Sequence, residues 1–538
     1  MTNTFRNGGA AVVETLRSLG VDTVFGIPGT HNLELYRHLT RLGIEHITPR
    51  HEQGAGYAAD AYARVSGRPG VVITTSGPGL TNVITAAATA YADSVPMLVI
   101  SPGVPRGLRG HDVGYLHETK DSTGAMDRLL RWSRRVSSPS EAADAVAEAF
   151  ASFTGARPRP VHVEVPVDVL DEPWAGAPPL FHERPGPQPD PTALDAAATA
   201  LAGARRPLII AGGGSVGAAT ELRDMAELCG APVLTTCNGK GVLPETHDLS
   251  LGASIRLRAA QQAVTLADVV LAIGTELGDS DLWGGTLTAR YVIRVDIDAG
   301  QLNKNLPADV ALHGDAARVL AALGDRLGSG SDLRLESEPA GMTPTTLTRA
   351  RDLRESCVAE ARPDGMAVRP LVEAVQAALP PDSIMAGDSS QVTYYGAVHF
   401  LTAERPHSLL YMPGYATLGY GLPAAIGAKI AAPDRPVVAL LGDGALLFSV
   451  QELATATALG LPIPIVVADN GGYAEIRDAM DSRGIPRVGV DLNTPDLPAL
   501  ARAFGAYGIQ ATTLAEVTTE VSKAFTADRP TLIAISTD

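Results

Sequence analysis

Cysteine is scarce in this chain: Cys229, Cys237 and Cys357 are the three among 538 residues. They lie far apart with no metal-ligand spacing, which argues against a thiolate metal site and implies a reducing compartment. An excess of positive charge is also missing. Lys and Arg number 43 against 59 Asp and Glu, a formal net charge of −16. Nucleic-acid binding is dominated by phosphate neutralisation with Lys and Arg, so that class is disfavoured. No apolar run reaches the roughly 18 residues of a membrane span. The opening MTNTFRNGGA lacks the basic-then-apolar pattern of a signal peptide. No short repeat period points to a solenoid. These absences leave a cytoplasmic enzyme or binding protein with no nucleic acid and no membrane among its partners.

The chain is 45% hydrophobic and 19% charged, an ordinary globular composition. Its length exceeds what one hydrophobic core supports, so about three domains are expected. Short apolar, β-branched runs alternate with Ala-rich helical stretches. GVVITTS (70–76), PMLVISP (96–102) and PVHVEVP (160–166) read as buried strands, with helices over 54–67 and 79–93. Such alternation predicts parallel α/β units. Two breaks divide the chain: DEPWAGAPPLFHERPGPQPDP (171–191) and GSGSDLRLESEPAGMTPTT (328–346). The fold class expected is therefore α/β, three doubly wound parallel-sheet domains over residues 1–172, 190–328 and 346–538. Ligands in such sheets bind beyond the carboxyl ends of strands, where several Gly-rich turns lie here.

One of those turns, GGGSVG (212–217), fits G-x-G-x-x-G after the strand RPLII. The dinucleotide fingerprint also needs an acidic residue after the second strand, about 20 positions on. The second strand here, APVLTT (231–236), is followed by Cys237-Asn238. The glycines read as a tight strand-to-helix turn, with nucleotide binding, and a dinucleotide-dependent oxidoreductase, as the alternative.

The segment from Gly442 to Gly472 carries more. A strand over Val437–Leu441 leads into Gly442-Asp443-Gly444, a helix is expected over Ala445–Leu459, and a second strand over Pro462–Ala468 leads to Asn470. Asp443 and Asn470 stand 27 positions apart, one strand-helix-strand unit, so both turns emerge on the same sheet edge. A carboxylate and a carboxamide converging there suit Mg²⁺, which takes hard oxygen ligands and completes its shell with phosphate oxygens and water. The helix start offers N–H groups and a positive dipole end to the phosphates. The plain reading is an Asp capping a helix plus an Asn in a turn.

This segment resembles the thiamine diphosphate signature, GDG followed by roughly 25 residues and Asn-Asn, with Asp469 standing where the first Asn is expected. The resemblance implies metal ligation by Asp443, Asn470 and the main-chain carbonyl of Gly472. It implies cofactor contacts from Gly442, Gly444, Ala445, Asn470, Gly472 and Tyr473. YMPGYATLGYGLPAAIGA (411–428) is similar to the segment that carries the bulky residue under the bent cofactor, here Leu418. Ala416 stands where relatives often have Gly, and its carbonyl accepts from the cofactor's 4′-amino group. AGDSSQ (386–391) resembles the second phosphate-holding turn, with Ser389, Ser390 and Gln391 as contacts.

RHEQGAGYAADAYARVSGRPGVVITTSGPGLTN (50–82) is similar to the amino-terminal domain of acetolactate synthases and their relatives. The resemblance makes Glu52 the catalytic glutamate. The thiazolium C2–H is a weak carbon acid. A carboxyl at the pyrimidine N1′ promotes the 4′-imino tautomer, whose imine removes that proton to give the ylide. A partly buried Glu with a raised pKa suits this; the plain alternative is a first-turn acid matched to the helix dipole. GIPG (26–29) and TSGPGLTN (75–82) accompany it in order, adding Gly26, Pro28, Pro78 and Asn82 to the cleft. In the family the first domain of one subunit faces the third domain of another. A homodimer or dimer of dimers is therefore implied.

All relatives add the ylide to a carbonyl carbon, usually of a 2-oxo acid; loss of CO₂ leaves an enamine that is protonated or attacks a second carbonyl. GTELGDSDLW (274–283), RVDIDAGQLNKN (294–305) and YAEIRDAM…GIPRVGVD (473–491) resemble 2-oxo acid decarboxylases, particularly the 2-oxoarginine type, so FAD is not expected. His117, in HDVGYLHE (111–118), stands where synthases carry Gln. It reads either as a proton donor to the enamine, which favours decarboxylation, or as a packing histidine. Glu475 and Asp478 follow the metal loop at i, i+3 spacing, with Asp481 next. They could select a guanidinium or ammonium tail, or simply match the helix dipole beside Arg477 and Arg483. The rival functions are a carboligase of the acetolactate type and a non-catalytic regulatory paralogue.

Overall fold

Runs such as Val437–Gly442 and Pro464–Asp469 are apolar and buried along nearly their whole length, the pattern of strands covered on both faces of a parallel sheet. The computed structural model, which describes residues 5–329 and 341–537, contains three such sheets. The first holds β1 (Thr23–Gly26), β2 (Glu45–Ile47), β3 (Gly70–Ile73), β4 (Met97–Gly103), β5 (Ser133–Arg135) and β6 (Val161–Pro166), in the order β2-β1-β3-β4-β6-β5. The second holds β7 (Pro207–Ala211), β8 (Val233–Thr235), β9 (Val269–Ile273), β10 (Val292–Asp296) and β11 (Val310–His313), ordered β11-β10-β9-β7-β8. The third holds β12 (Ile384–Gly387), β13 (Leu409–Leu410), β14 (Val437–Gly442), β15 (Pro464–Asp469), β16 (Tyr507–Gln510) and β17 (Thr531–Ser536), ordered β13-β12-β14-β15-β17-β16. Every pairing between these strands is parallel. The fold class read from the alternating pattern is thus borne out.

Two local expectations change. The boundary drawn at residue 346 falls inside the helix Pro344–Gly365. Its buried Ala350, Cys357 and Ala361 recur at helical spacing and pack into the two cores of the middle sheet, so the helix belongs to that layer. The polar break around it lies partly outside the described residues. The single helix expected over 445–459 is instead two, Asp443–Leu446 and Glu452–Ala458. Between them the main chain winds tighter: Phe448 N–H donates to Ala445 at 3.2 Å and Ser449 N–H to Leu446 at 3.0 Å, three residues back rather than four. The second helix then presents Glu452 to the first domain. Its carboxylate accepts the main-chain N–H groups of Arg50 and His51, each at 3.1 Å.

The three domains meet at one buried guanidinium. Arg64 Nε donates to Asp60 Oδ1 at 2.7 Å, Nη2 to Asp93 Oδ2 at 3.0 Å, and Nη1 to Asn238 Oδ1 of the middle domain at 3.0 Å. The third domain joins through Tyr420, whose hydroxyl donates to Asp60 at 2.8 Å, and through Gly414 N–H on Asp93 at 3.2 Å. Beside it the helices Glu52–Ser66 and Gly421–Ala431 pack so closely that a side chain at Gly427 would strike the Ala58 carbonyl. Among the described residues no helix is long and apolar enough to cross a membrane. Removing one partner of a buried ion pair strands the other charges. Arg64→Ala is expected to cost about 3–5 kcal/mol, with Arg64→Lys costing less, read from the shift of the chemical denaturation midpoint.

Candidate functional site

Strands β12, β14 and β15 are neighbours in the third sheet, with Gly387 opposite Leu440 and Gly442 opposite Ala468. The turns that leave their carboxyl ends therefore lie side by side. They carry Ser389-Ser390-Gln391, Asp443-Gly444-Ala445 and Asn470-Gly471-Gly472-Tyr473. Small residues let them close up. A side chain at Gly442 would touch Ser390, and one at Gly444 would press on the Tyr473 ring at 3.0 Å. Burial raises the Asp443 pKa, and the nearby Asp469 charge adds to that rise.

The atoms at this edge form an oxygen-rich cage. The inward-facing atom of the Asn470 carboxamide lies 3.0 Å from the Gly472 carbonyl oxygen and 3.2 Å from Asp443 Oδ1. Built as oxygen it meets only acceptors. Two orientations resolve this: the amide turns its nitrogen inward, or a cation sits among three oxygens. The second is chemically available, because carboxylate, amide and main-chain oxygens are the donor set of Mg²⁺ or Ca²⁺. Among the described residues no three His, Cys, Asp or Glu side chains cluster as ligands, so a cation here must recruit the amide and main-chain oxygens. The backbone is shaped for it. Gly472 has φ +140°, and a Cβ there would collide with the Val490 carbonyl. Tyr473 N–H donates to Val490 at 2.9 Å and Leu492 N–H to Gly471 at 3.0 Å, bracing the loop. Arg477 grips the Asn470 carbonyl at 3.3 Å through both Nη atoms.

Three residues that sequence reasoning passed over organise this edge. Thr494 Oγ1 stands 3.0 Å from Asp443 Oδ2 and 3.3 Å from Asp469 Oδ1. Asp388 is fully buried and accepts main-chain N–H groups from Ser389 at 2.8 Å, Gly419 at 3.1 Å and Gly421 at 2.9 Å, tying the serine turn to the loop of Ala416 and Leu418. Burial pushes its carboxyl up to about 6. Tyr395 donates its hydroxyl to Glu475 at 3.1 Å. The AGD of AGDSSQ was the one available signal for Asp388; Thr494 lies 24 residues beyond Asn470 with no motif to mark it. Ala416 takes φ +48°, a conformation that glycine adopts without strain.

A cavity of about 1840 Å³ opens over the cage. Ser389, Ser390, Gln391, Ala416, Leu418, Gly442, Asp443, Gly444, Ala445, Asn470, Gly472, Tyr473 and Glu475 all line it. The middle domain contributes Arg256 and Trp283, and the GGGSVG turn reaches its far end through Gly213, Gly214 and Val216. Gln391 lines the cavity with the two serines, and its amide nitrogen donates to Glu475 at 3.1 Å and to Asp478 at 3.3 Å. Asp478 itself is exposed and does not line the cavity.

The first-domain residues assemble elsewhere. Glu52 opens the helix Glu52–Ser66 and is 7% exposed. Its Oε2 accepts from Asn82 Nδ2 at 2.9 Å, and Gly79, next to Pro78, leaves room beside Oε1. Pro78 begins the helix Pro78–Ala92. Gly26 ends β1 so close to Ile73 that a Cβ would strike its carbonyl, and Pro28 follows in the same turn. His117, at φ +63°, has Nδ1 3.4 Å from Ser76 Oγ, which also lies 2.6 Å from His31 Nδ1. His31 is a further residue the sequence did not single out; burial lowers its pKa. None of Glu52, Gly26, Pro28, Pro78, Asn82 or His117 lines the cavity over the cage. One chain thus carries two half-sites.

Comparison with known proteins accounts for both halves. Residues 6–125 match the N-terminal TPP binding domain of thiamine pyrophosphate enzymes, residues 194–323 the central domain, and residues 388–535 the C-terminal TPP binding domain. The chain is a thiamine pyrophosphate enzyme. It is 43% identical to a probable 2-ketoarginine decarboxylase of Pseudomonas aeruginosa, over 98% of this chain and 93% of that protein. It is 36% identical to an acetolactate synthase large subunit of Parasynechococcus marenigrum, over 98% and 87% of the two chains. A probable acetolactate synthase large subunit of Methanocaldococcus jannaschii shares 33% identity over 99% and 92%. The thiamine pyrophosphate enzyme is thus similar along nearly its whole length to decarboxylating and carbon-joining relatives, as the sequence resemblance implied. If the glycine backbone holds the cage open, Gly472→Ala abolishes uptake of thiamine diphosphate with Mg²⁺ in equilibrium dialysis and costs about 1–3 kcal/mol of stability through the strained φ.

Proposed function

We propose that this thiamine diphosphate enzyme decarboxylates a 2-oxo acid with a cationic tail, of the 2-oxoarginine class, with Mg²⁺ as the resident cation. The observation that carries the substrate class is Glu475. Its carboxylate lines the cavity beside the cage, accepts the Gln391 amide and the Tyr395 hydroxyl, and has no cationic partner among the described residues. A planar guanidinium suits such a carboxylate through charge-assisted hydrogen bonds. Trp283 and Tyr394 line the cavity nearby, with the Arg256 guanidinium already stacked over the Trp283 ring at 4.2 Å, so the carboxylate is the partner open to a cation. The 2-ketoarginine decarboxylase relative supports the same reading.

Asp443, Asn470 and the Gly472 carbonyl would hold the Mg²⁺ that anchors the diphosphate, with Ser389 and Ser390 alongside. Leu418 and Ala416 belong to the loop that supports the ring system. When bound, the coenzyme supplies the carbon nucleophile that adds to the 2-oxo carbon and accepts the electrons released with CO₂. Glu52, fixed by Asn82, holds or gives the proton at the pyrimidine ring. His117 delivers a proton to the carbon that has lost CO₂, the step that separates aldehyde release from carbon–carbon bond formation.

Glu52 and His117 stand apart from the cage within one chain, so the complete site calls for a second copy, in a homodimer or a dimer of dimers. Exposed apolar side chains flank both halves and support this: Leu33, Val113 and Leu116 on the first domain, Phe448, Ile476 and Val488 on the third. The second reading is a carboligase, favoured by the acetolactate synthase relatives.

A panel of 2-oxo acids assayed for CO₂ release with thiamine diphosphate and Mg²⁺ tests the proposal. 2-Oxoarginine should exceed pyruvate and benzoylformate in kcat/KM; equal or preferred use of pyruvate removes the cationic tail. Acetolactate or acetoin from pyruvate, in place of acetaldehyde, would establish the carboligase. Glu475→Gln should lower kcat/KM for 2-oxoarginine by about 10- to 100-fold and leave pyruvate turnover little changed. Glu52→Gln should lower turnover of every substrate by about 100-fold or more; full activity in that variant contradicts the mechanism.

A further inference from the structure

Asp469 ends β15 directly before the metal loop, and its carboxylate has an unusual setting. Oδ1 accepts the Gly471 N–H at 3.2 Å and lies 3.3 Å from Thr494 Oγ1. The same hydroxyl stands 3.0 Å from Asp443 Oδ2. A hydroxyl has one proton, so at any instant it donates to one of the two carboxylates. It therefore couples the cage ligand Asp443 to a second acid that contributes nothing to the cage directly. An asparagine at 469 would offer the same acceptor oxygen to Gly471 and Thr494. What the carboxylate adds is charge. Among the described residues no cationic side chain pairs with it; Arg477, the guanidinium of the same loop, is turned to the Asn470 carbonyl and to Asp491 at 3.5 Å.

We infer that Asp469 supports the cation site by its charge: one shared hydroxyl away from Asp443 and without a cationic partner among the described residues, its carboxylate strengthens divalent-cation binding there. The inference rests on the cage being a cation site, and the experiment separates the two claims. Binding of Mn²⁺ alone to the coenzyme-free full-length protein is followed by the electron paramagnetic resonance signal of free Mn²⁺. With the wild-type chain binding Mn²⁺, Asp469→Asn should raise the Kd about tenfold, the scale of one nearby charge acting on a divalent ion in a partly solvated site. Asp469→Glu keeps the charge and should stay within about threefold of the wild type. Asp481→Asn removes an exposed acid from the following helix, one already paired with Arg487 at 2.6 Å, and should leave the Kd within about twofold. Equal affinity in Asp469→Asn and the wild type overturns the inference. So does an equal loss in Asp481→Asn, which would mean a general charge effect. If Asp469→Asn does not fold, Asp469→Glu decides: a tenfold loss with the charge retained overturns it. A wild-type chain that does not take up Mn²⁺ brings down the cage itself.

Discussion

A single buried guanidinium holds the molecule in register. Arg64 belongs to the first domain, yet it is satisfied only when Asn238 of the middle domain and the Tyr420–Asp60 pair with the third are in place. Its charge is balanced by two buried acids, Asp60 and Asp93, and Asp93 in turn accepts from Asn238 and from the Gly414 main chain. Each group is costly to bury unless all the others are present. The lock is therefore cooperative, and it fixes the one space that all three domains share. Arg64, Asn238 and Gly414 all line the cavity over the cage. The walls of the site depend on the same contacts that hold the domains together.

Within that cavity the electrostatics are asymmetric. The cage edge gathers the Asp443 carboxylate, the Asn470 carboxamide and the Gly472 carbonyl, with Asp469 one Thr494 hydroxyl away. Arg477, the guanidinium of the same loop, gives its hydrogen bonds to the Asn470 main-chain carbonyl and its charge to Asp491. The cage is thus left electron-rich on its inner side, and burial already disfavours the charged form of Asp443. On the proposed reading a divalent cation would relieve both, with its remaining charge available to a diphosphate.

Much of this was legible in the sequence, for reasons tied to particular residues. Strand–turn–helix alternation placed Asp443 and Asn470 on one edge because parallel strands all point their carboxyl ends the same way. That argument needs only the period of the chain. The glycines at 442, 444 and 472 were legible through the signature they resemble, and at Gly472 the structure supplies the reason, since a Cβ there would strike the Val490 carbonyl. What escaped depended on contacts between segments distant in sequence. Thr494 reaches Asp443 from 51 residues away. Tyr395 reaches Glu475 across 80 residues. His31 meets Ser76 across 45. The helix expected over 445–459 split because Glu452 answers main-chain donors in another domain, about which local propensity carries no information. The hydrogen bonds of Gln391 were hidden for the same reason: its partners Glu475 and Asp478 lie more than 80 residues downstream. Glu52 was found by motif, but that it does not line the cavity over its own chain's cage could only come from the three-dimensional arrangement.

That separation bears on how a substrate is chosen. On the proposed reading the half-site with Glu52 and His117 carries the proton chemistry and the half-site with the cage lines the cavity, so selection of a tail would come from the cage side. There Glu475 is held by two neutral donors, an amide and a phenol, which orient the carboxylate without neutralising it. Had either been replaced by a guanidinium of the chain itself, the acid would be spent internally. Arg477 lies two residues along the same helix and is withheld from Glu475 by the metal loop it braces. The geometry that braces the loop also leaves the Glu475 carboxylate without a cationic partner among the described residues, while Arg256 already covers the nearby Trp283 ring at 4.2 Å, so on the proposed reading it is the carboxylate that would meet a positive tail.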